Sequence, residues 1–150
     1  GDPASILDRP EGRLANVAQQ VSYGWIELPV PVIAAVHGNC FGGGLQIALG
    51  ADVRFVAPDA RLSVMEAKWG LIPDMGITAA LPRLVGIDHA LELTYTARII
   101  SGTEAERVGL CTHVADEPLA AARTLAGEIA ERSPDAVRRF RSPSWCFQAP

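Results

Sequence analysis

Between Val32 and Leu49 the chain runs Val32-Ile33-Ala34-Ala35-Val36, then His37-Gly38-Asn39-Cys40-Phe41-Gly42-Gly43-Gly44, then Leu45-Gln46-Ile47-Ala48-Leu49. A short, nearly continuous apolar run is the pattern of a strand buried on both faces. Three successive glycines close the turn that follows it, and without a Cβ they permit positive φ and close approach of backbone to a ligand. The residues after them read as a buried helix, whose first N–H groups are unpaired and whose positive dipole end faces the turn. A strand, glycine turn and helix in this order suit either a tight structural turn or a site for a phosphate or a reaction oxyanion. The turn has neither the Lys-Ser/Thr pair of a Walker loop nor GxGxxG spacing, and it carries no GxSxG serine.

The rest of the chain is organised around that unit. Gly1 to Gly12 reads as loop, and the apolar positions Leu14, Val17, Ala18, Val21, Trp25 and Leu28 predict an amphipathic helix that Pro29-Val30-Pro31 stops. Asp52 to Val56 and Arg61 to Val64 read as strands about a Pro58-Asp59 turn, and Gly70, Pro73 and Gly76 punctuate an irregular segment. Helices are expected near Asp88, from Thr103, over Leu119 to Arg132 and after Ser133-Pro134, with a short strand over Cys111 to Val114. Thr103-Glu104-Ala105-Glu106 has the form of a capping box. The tail from Ser142 shows no usable period. The pattern is α/β in the first half and helical in the second.

Composition excludes several functions. The net charge of -4 argues against broad nucleic-acid binding, which needs dense Lys/Arg contacts. The late arginines, Arg132, Arg138, Arg139 and Arg141, read as a solvated helix face. Cys40, Cys111 and Cys146 are odd in number and form no CxxC or Cys/His set, so neither a disulfide framework nor a zinc site is indicated and a cytoplasmic location is expected. No apolar stretch approaches the ~20 residues of a membrane span, and no signal peptide opens the chain.

The run from Pro31 through Gly86 resembles the enoyl-CoA hydratase/isomerase (crotonase) superfamily. The resemblance rests on Pro31-Val32-Ile33-Ala34-Ala35-Val36-His37-Gly38, Gly42-Gly43-Gly44, Ala51-Asp52-Val53-Arg54, Gly70-Leu71-Ile72-Pro73 and Leu81-Pro82-Arg83-Leu84-Val85-Gly86. It extends more weakly through Ala105-Glu106-Arg107-Val108-Gly109-Leu110. It implies a crotonase-like core of ββα units, partial here and covering 1–115, followed by C-terminal helices over 116–150 in one continuous domain. It also implies a homotrimer or hexamer and an acyl-CoA substrate, with coenzyme A arriving as part of that substrate and no separate cofactor or metal. In that family two backbone N–H groups bind the thioester oxygen. Gly43 falls where one of them belongs, with Gly44 beside it. The other belongs to a loop earlier than this chain begins.

Chemistry at an acyl thioester needs a base for a carbon-bound proton. The common hydratase pattern has Glu two residues after the triple glycine, where this chain has Gln46. An amide orients water or substrate but exchanges no proton at neutral pH. Glu66 lies at the family's second acid/base position; without the resemblance it would read as a charged residue on an exposed turn. Asp74 lies where dienoyl-CoA isomerases carry an Asp. The resemblance therefore implies double-bond isomerisation of an unsaturated acyl-CoA, with Asp74 as base and Glu66 as proton donor or the reverse. The alternatives are hydration by Glu66 with Gln46, and a shortened, non-catalytic subunit that binds CoA or holds an oligomer together. His37, His89 and His113 have no ligand partner at suggestive spacing, Met65 and Trp69 suit either an acyl pocket or the core, and Asp52 is expected to pair with Arg54.

Overall fold

The computed structural model describes residues 15–141; the Gly1 to Gly12 loop, Leu14, the tail from Ser142 and Cys146 lie outside the described residues. Helix α1 (Val17–Glu27) leads into β1 (Ile33–Val36), β2 (Asn39–Phe41) and α2 (Gly43–Ala48). Next come β3 (Val53–Val56), β4 (Arg61–Ser63) and a 3₁₀ turn (Glu66–Trp69). Helices α3 (Ile77–Leu84) and α4 (Ile87–Thr96) precede β5 (Ile100–Ser101), α5 (Gly102–Arg107) and β6 (His113–Val114). Helices α6 (Pro118–Ala130) and α7 (Pro134–Arg141) complete the described chain.

The strands form two sheets, ordered β1-β3-β6 and β2-β4-β5. Strands β1, β3 and β6 run parallel; β2 and β4 are parallel and β5 is antiparallel to β4. Each unit thus sends its first strand into one sheet and its second into the other, and α2 supplies the crossover that parallel neighbours require. This is the ββα winding expected from the resemblance. Leu45, Val56, Leu62, Val64, Leu81, Leu93, Ile100 and Leu110 fill the space between the sheets and helices, each at most 3% exposed.

Several local expectations change. Part of the stretch read as turn is strand β2, because Asn39, Cys40 and Phe41 find ladder partners in Arg61, Leu62 and Ser63. Three residues carry too short a period to reveal a strand without its neighbour. The Gly70 to Gly76 segment is irregular, and α3, not anticipated from the sequence, follows it despite Pro82 in its interior. Pro82 forfeits one backbone bond, and burial of Ile77 and Leu81, one turn apart, offsets that loss. Helix α5 is capped by Ser101, whose Oγ accepts from the Glu104 N–H at 3.1 Å, two residues before the Thr103 box. The extended backbone of Ser101 at the end of β5 is already in the cap conformation. Glu106 accepts instead from the Val114 N–H, at 3.0 Å.

Helix α1 forms, with Asn16 and Gln19 exchanging side-chain-to-backbone bonds at its start. Its apolar stripe is nevertheless not the face turned inward: Val17, Val21 and Trp25 are exposed and Ser22 is buried. Periodicity tells which residues share a face, not which face is covered. The small Ser22 lets α1 approach α2 closely, and its Oγ donates to the Gln46 carbonyl oxygen at 2.6 Å.

Asp52 and Arg54 do not pair. Arg54 donates to the carbonyl oxygens of Leu110 and Ala51, at 3.0 and 2.6 Å. Asp52 Oδ2 accepts from the Val32 N–H and from Arg141 Nε, at 2.8 and 2.7 Å. Arg141 is therefore not part of a solvated face. It is buried, and it also donates to the Trp25 and Ile26 carbonyl oxygens at 2.7 Å each, tying α7 to the end of α1. Arg132, Arg138 and Arg139 are exposed as expected. Arg141→Met keeps much of the side-chain volume and removes these bonds. It is expected to lower stability by about 2 kcal/mol, the scale of hydrogen bonds to a charged group, measured by urea denaturation.

Candidate active site

The parallel pairing of Phe41 with Ser63 makes β2 and β4 end side by side. The chain leaves β2 through Gly42 into α2, and leaves β4 through Val64 and Met65 into the 3₁₀ turn that begins at Glu66. The Gly42 N–H still donates to the Ser63 carbonyl oxygen at 3.0 Å, so the two exits are held together. Gly42 then turns with φ 50° and ψ -119°, a conformation closed to residues with a Cβ. A Cβ built there would lie 3.2 Å from Glu66 Oε1. Glycine is needed at this position for conformation and for clearance alike.

Glu66 is only 8% exposed, unlike a charged residue on an exposed turn. Its Oε1 accepts from Gln46 Nε2 at 2.6 Å. Its Oε2 is buried and has no hydrogen-bond partner among the described residues. Gln46 is 2% exposed, and its Oε1 accepts from the Met75 N–H at 2.8 Å. An unsatisfied buried carboxylate oxygen is costly, so its persistence calls for a reason outside stability.

Glu66 borders an open cavity of about 270 Å³ lined by Phe41, Gly42, Gly43, Met65, Glu66, Trp69 and Leu71. The walls are apolar side chains, and Gly43 opens α2, where the first N–H groups have no preceding turn to donate to. Trp69 and Leu71 are 69% and 62% exposed, leaving an apolar rim. Met65 and Trp69, left between pocket and core by the sequence, both line the cavity.

The remaining candidates sit apart from this group. Gly44 is exposed, and a Cβ there would meet nothing within 4 Å. Asp74 is exposed and is not among the residues lining the cavity, although the next residue supplies the N–H that Gln46 accepts. His37 is exposed, His113 stacks on Phe55 at 5.0 Å, and His89 lies 3.8 Å from Glu92. Burial pushes the Cys40 and Cys111 thiols up to about 11, which keeps both protonated and poorly nucleophilic at neutral pH. Among the described residues no cluster of His, Cys, Asp or Glu could hold a metal ion, and no helix is long and apolar enough to cross a membrane. The Met75 N–H and the Ser22 hydroxyl were not legible as parts of this site, since nothing in the sequence marks which backbone group meets a side chain 29 residues earlier.

Residues 11–143 match the family described as Enoyl-CoA hydratase/isomerase. Mouse (Mus musculus) "Methylglutaconyl-CoA hydratase, mitochondrial" is 42% identical over 117 residues, covering 74% of this chain and 37% of that protein. The "Probable enoyl-CoA hydratase" of Bacillus subtilis (strain 168) is 40% identical over 127 residues, covering 83% of this chain and 49% of that protein. The chain thus spans less than half the length of these curated relatives. Among solved structures, a protein assigned as an enoyl-CoA hydratase from Thermobifida fusca YX, in complex with acetoacetyl-CoA, superposes with a TM-score of 0.78 at 35% identity, covering 82% of this chain and 49% of that one.

The two glycines at the turn are expected to differ sharply on substitution. Gly42→Ala introduces positive-φ strain and crowds Glu66 Oε1, at a cost of about 1–3 kcal/mol. At Gly43 a Cβ would lie 3.2 Å from Met75 Sδ, the far part of a flexible side chain that can shift. Gly43→Ala should cost less than about 1 kcal/mol. Urea denaturation of the two variants side by side checks the difference.

Proposed function

The chain belongs to the enoyl-CoA hydratase/isomerase family, and we propose that its site shifts a double bond along the acyl chain of an unsaturated acyl-CoA, with Glu66 carrying the proton. The observation that carries this reading is the partnerless Oε2 of Glu66, a buried carboxylate oxygen on a residue that lines an apolar cavity beside Gly43. The thioester oxygen lies against the Gly43 N–H and the acyl chain against Phe41, Met65, Trp69 and Leu71. Glu66 removes a proton from the carbon next to the thioester. The C–H electron pair passes into the conjugated enolate, whose oxygen the N–H stabilises as charge develops there. Glu66 then returns the proton to the distal carbon. Coenzyme A belongs to the substrate, so no further cofactor enters.

Asp74, the other expected acid/base residue, is exposed, which favours a single carboxylate working in both directions over a pair. Hydration is the second reading, supported by the names of the relatives; there Glu66 would handle water with Gln46 at its side. Against it stands the amide at position 46, which takes no proton from water at neutral pH. A non-catalytic subunit is the least supported reading, because a binding protein gains nothing from a buried carboxylate oxygen left unpaired. Assembly as a homotrimer or hexamer remains part of the proposal, and the exposed Val17, Val21 and Trp25 on α1 are apolar surface available to it.

In the whole protein, Glu66→Gln is expected to lower turnover by about 10²- to 10⁴-fold, the usual contribution of a general base. Asp74→Asn should leave it near that of the parent. Parallel assays on 3,5-dienoyl-CoA and 2-enoyl-CoA separate the readings. Faster double-bond shift than water addition is the expected result; efficient hydration without isomerisation points to the hydratase.

A further inference from the structure

We propose that Gln46 is a positioning residue that gives the two oxygens of Glu66 different tasks, so that Oε1 is held and Oε2 alone moves the proton. This rests on Glu66 being the proton carrier of the proposed reaction. Both polar atoms of the Gln46 side chain are engaged within the protein: Nε2 donates to Glu66 Oε1 at 2.6 Å, and Oε1 accepts from the Met75 N–H at 2.8 Å. A backbone N–H can only donate. Met75 therefore claims the amide oxygen and leaves the amide NH₂ to face the carboxylate, which fixes the orientation of Gln46. At 2% exposure the side chain is no surface for substrate. The Ser22 hydroxyl, donating to the Gln46 carbonyl oxygen at 2.6 Å, anchors the backbone of the same residue to α1.

The carboxylate is hydrogen-bonded on that side only. Gly42 lies against Oε1, with room for no added methyl without crowding, while Oε2 has no partner. The reaction then balances on one atom. The C–H bond next to the thioester breaks, an O–H bond forms on Oε2, and the electron pair enters the enolate. In the second half the O–H bond breaks and a C–H bond forms at the distal carbon, regenerating the ionised carboxylate still bonded to Gln46. A glutamate at position 46 would accept from Met75 equally well but would set an oxygen against Oε1. An amide is the side chain of this length that accepts from a backbone N–H on one side and donates to a carboxyl oxygen on the other.

The test compares Gln46→Met, Gln46→Asn and Glu66→Gln in the whole protein, with kcat and KM as readouts. Gln46→Met removes the donor at similar length. A carboxylate freed to rotate is expected to lower kcat by up to about 10²-fold, the cost of about 1 Å of misplacement, with KM little changed. A fall in kcat at constant KM marks an interaction made only in the transition state, which a purely structural role would not produce. Gln46→Asn, an amide one methylene short, should show the same split and serves if Gln46→Met does not fold. Folded Gln46 variants with the parent kcat and KM, alongside an inactive Glu66→Gln, overturn the positioning role and leave the proposed reaction standing. An active Glu66→Gln overturns both.

Discussion

The in-register pairing of β2 with β4 is the constraint on which the candidate site depends. Phe41 opposite Ser63 sets two chain exits next to each other, and everything chemical in the described residues hangs on those exits. One exit is a glycine corner opening a helix; the other is a short turn that begins with Glu66. Slipping that ladder by one residue would exchange the faces of the strand, move Leu62 out of the core and take Glu66 away from Gly42. The register is protected because Cys40 and Leu62 are both buried where the two sheets meet.

Within that frame the polar interactions work against solvation. Gln46 and Glu66 are both withdrawn from water, and only one of the two carboxylate oxygens is compensated inside the protein. A buried hydrogen bond contributes modestly to stability, whereas a buried polar atom without a partner costs more than such a bond returns. The surrounding fold, with Leu45, Val64 and Leu81 nearly inaccessible, supplies the stability that tolerates this. The geometry leaves one carboxylate oxygen without a partner, on a residue that lines an apolar cavity.

The sequence made the local units legible because their signals are local. The apolar run before Gly38, the glycines and the carboxylate at position 66 can all be read along the chain, and the family resemblance joins them into one site. What escaped depended on distant neighbours. Strand β2 exists through β4, helix α3 through the burial of Ile77 and Leu81, and the inward face of α1 through the hydrogen bond from Ser22 to α2. Arg141 looked like one of several solvated arginines because its partners, Asp52 and the Trp25 and Ile26 carbonyls, lie 89 or more residues earlier. Asp74 shows the opposite limit: a position marked by resemblance whose side chain the fold leaves exposed. Spacing identifies residue types suited to a reaction, and only packing assigns them to one cavity.

The claim that Glu66 moves a carbon-bound proton beside a thioester can be tested without settling which product is formed. Incubation of the whole protein with an unsaturated acyl-CoA in D₂O, followed by NMR, reads exchange at the carbon next to the thioester. Reversible enolate formation through Glu66, with the carboxyl proton exchanging with solvent while the enolate stands, predicts deuterium entry at that carbon with the parent protein and its near absence with Glu66→Gln. Equal exchange by the two proteins would contradict it.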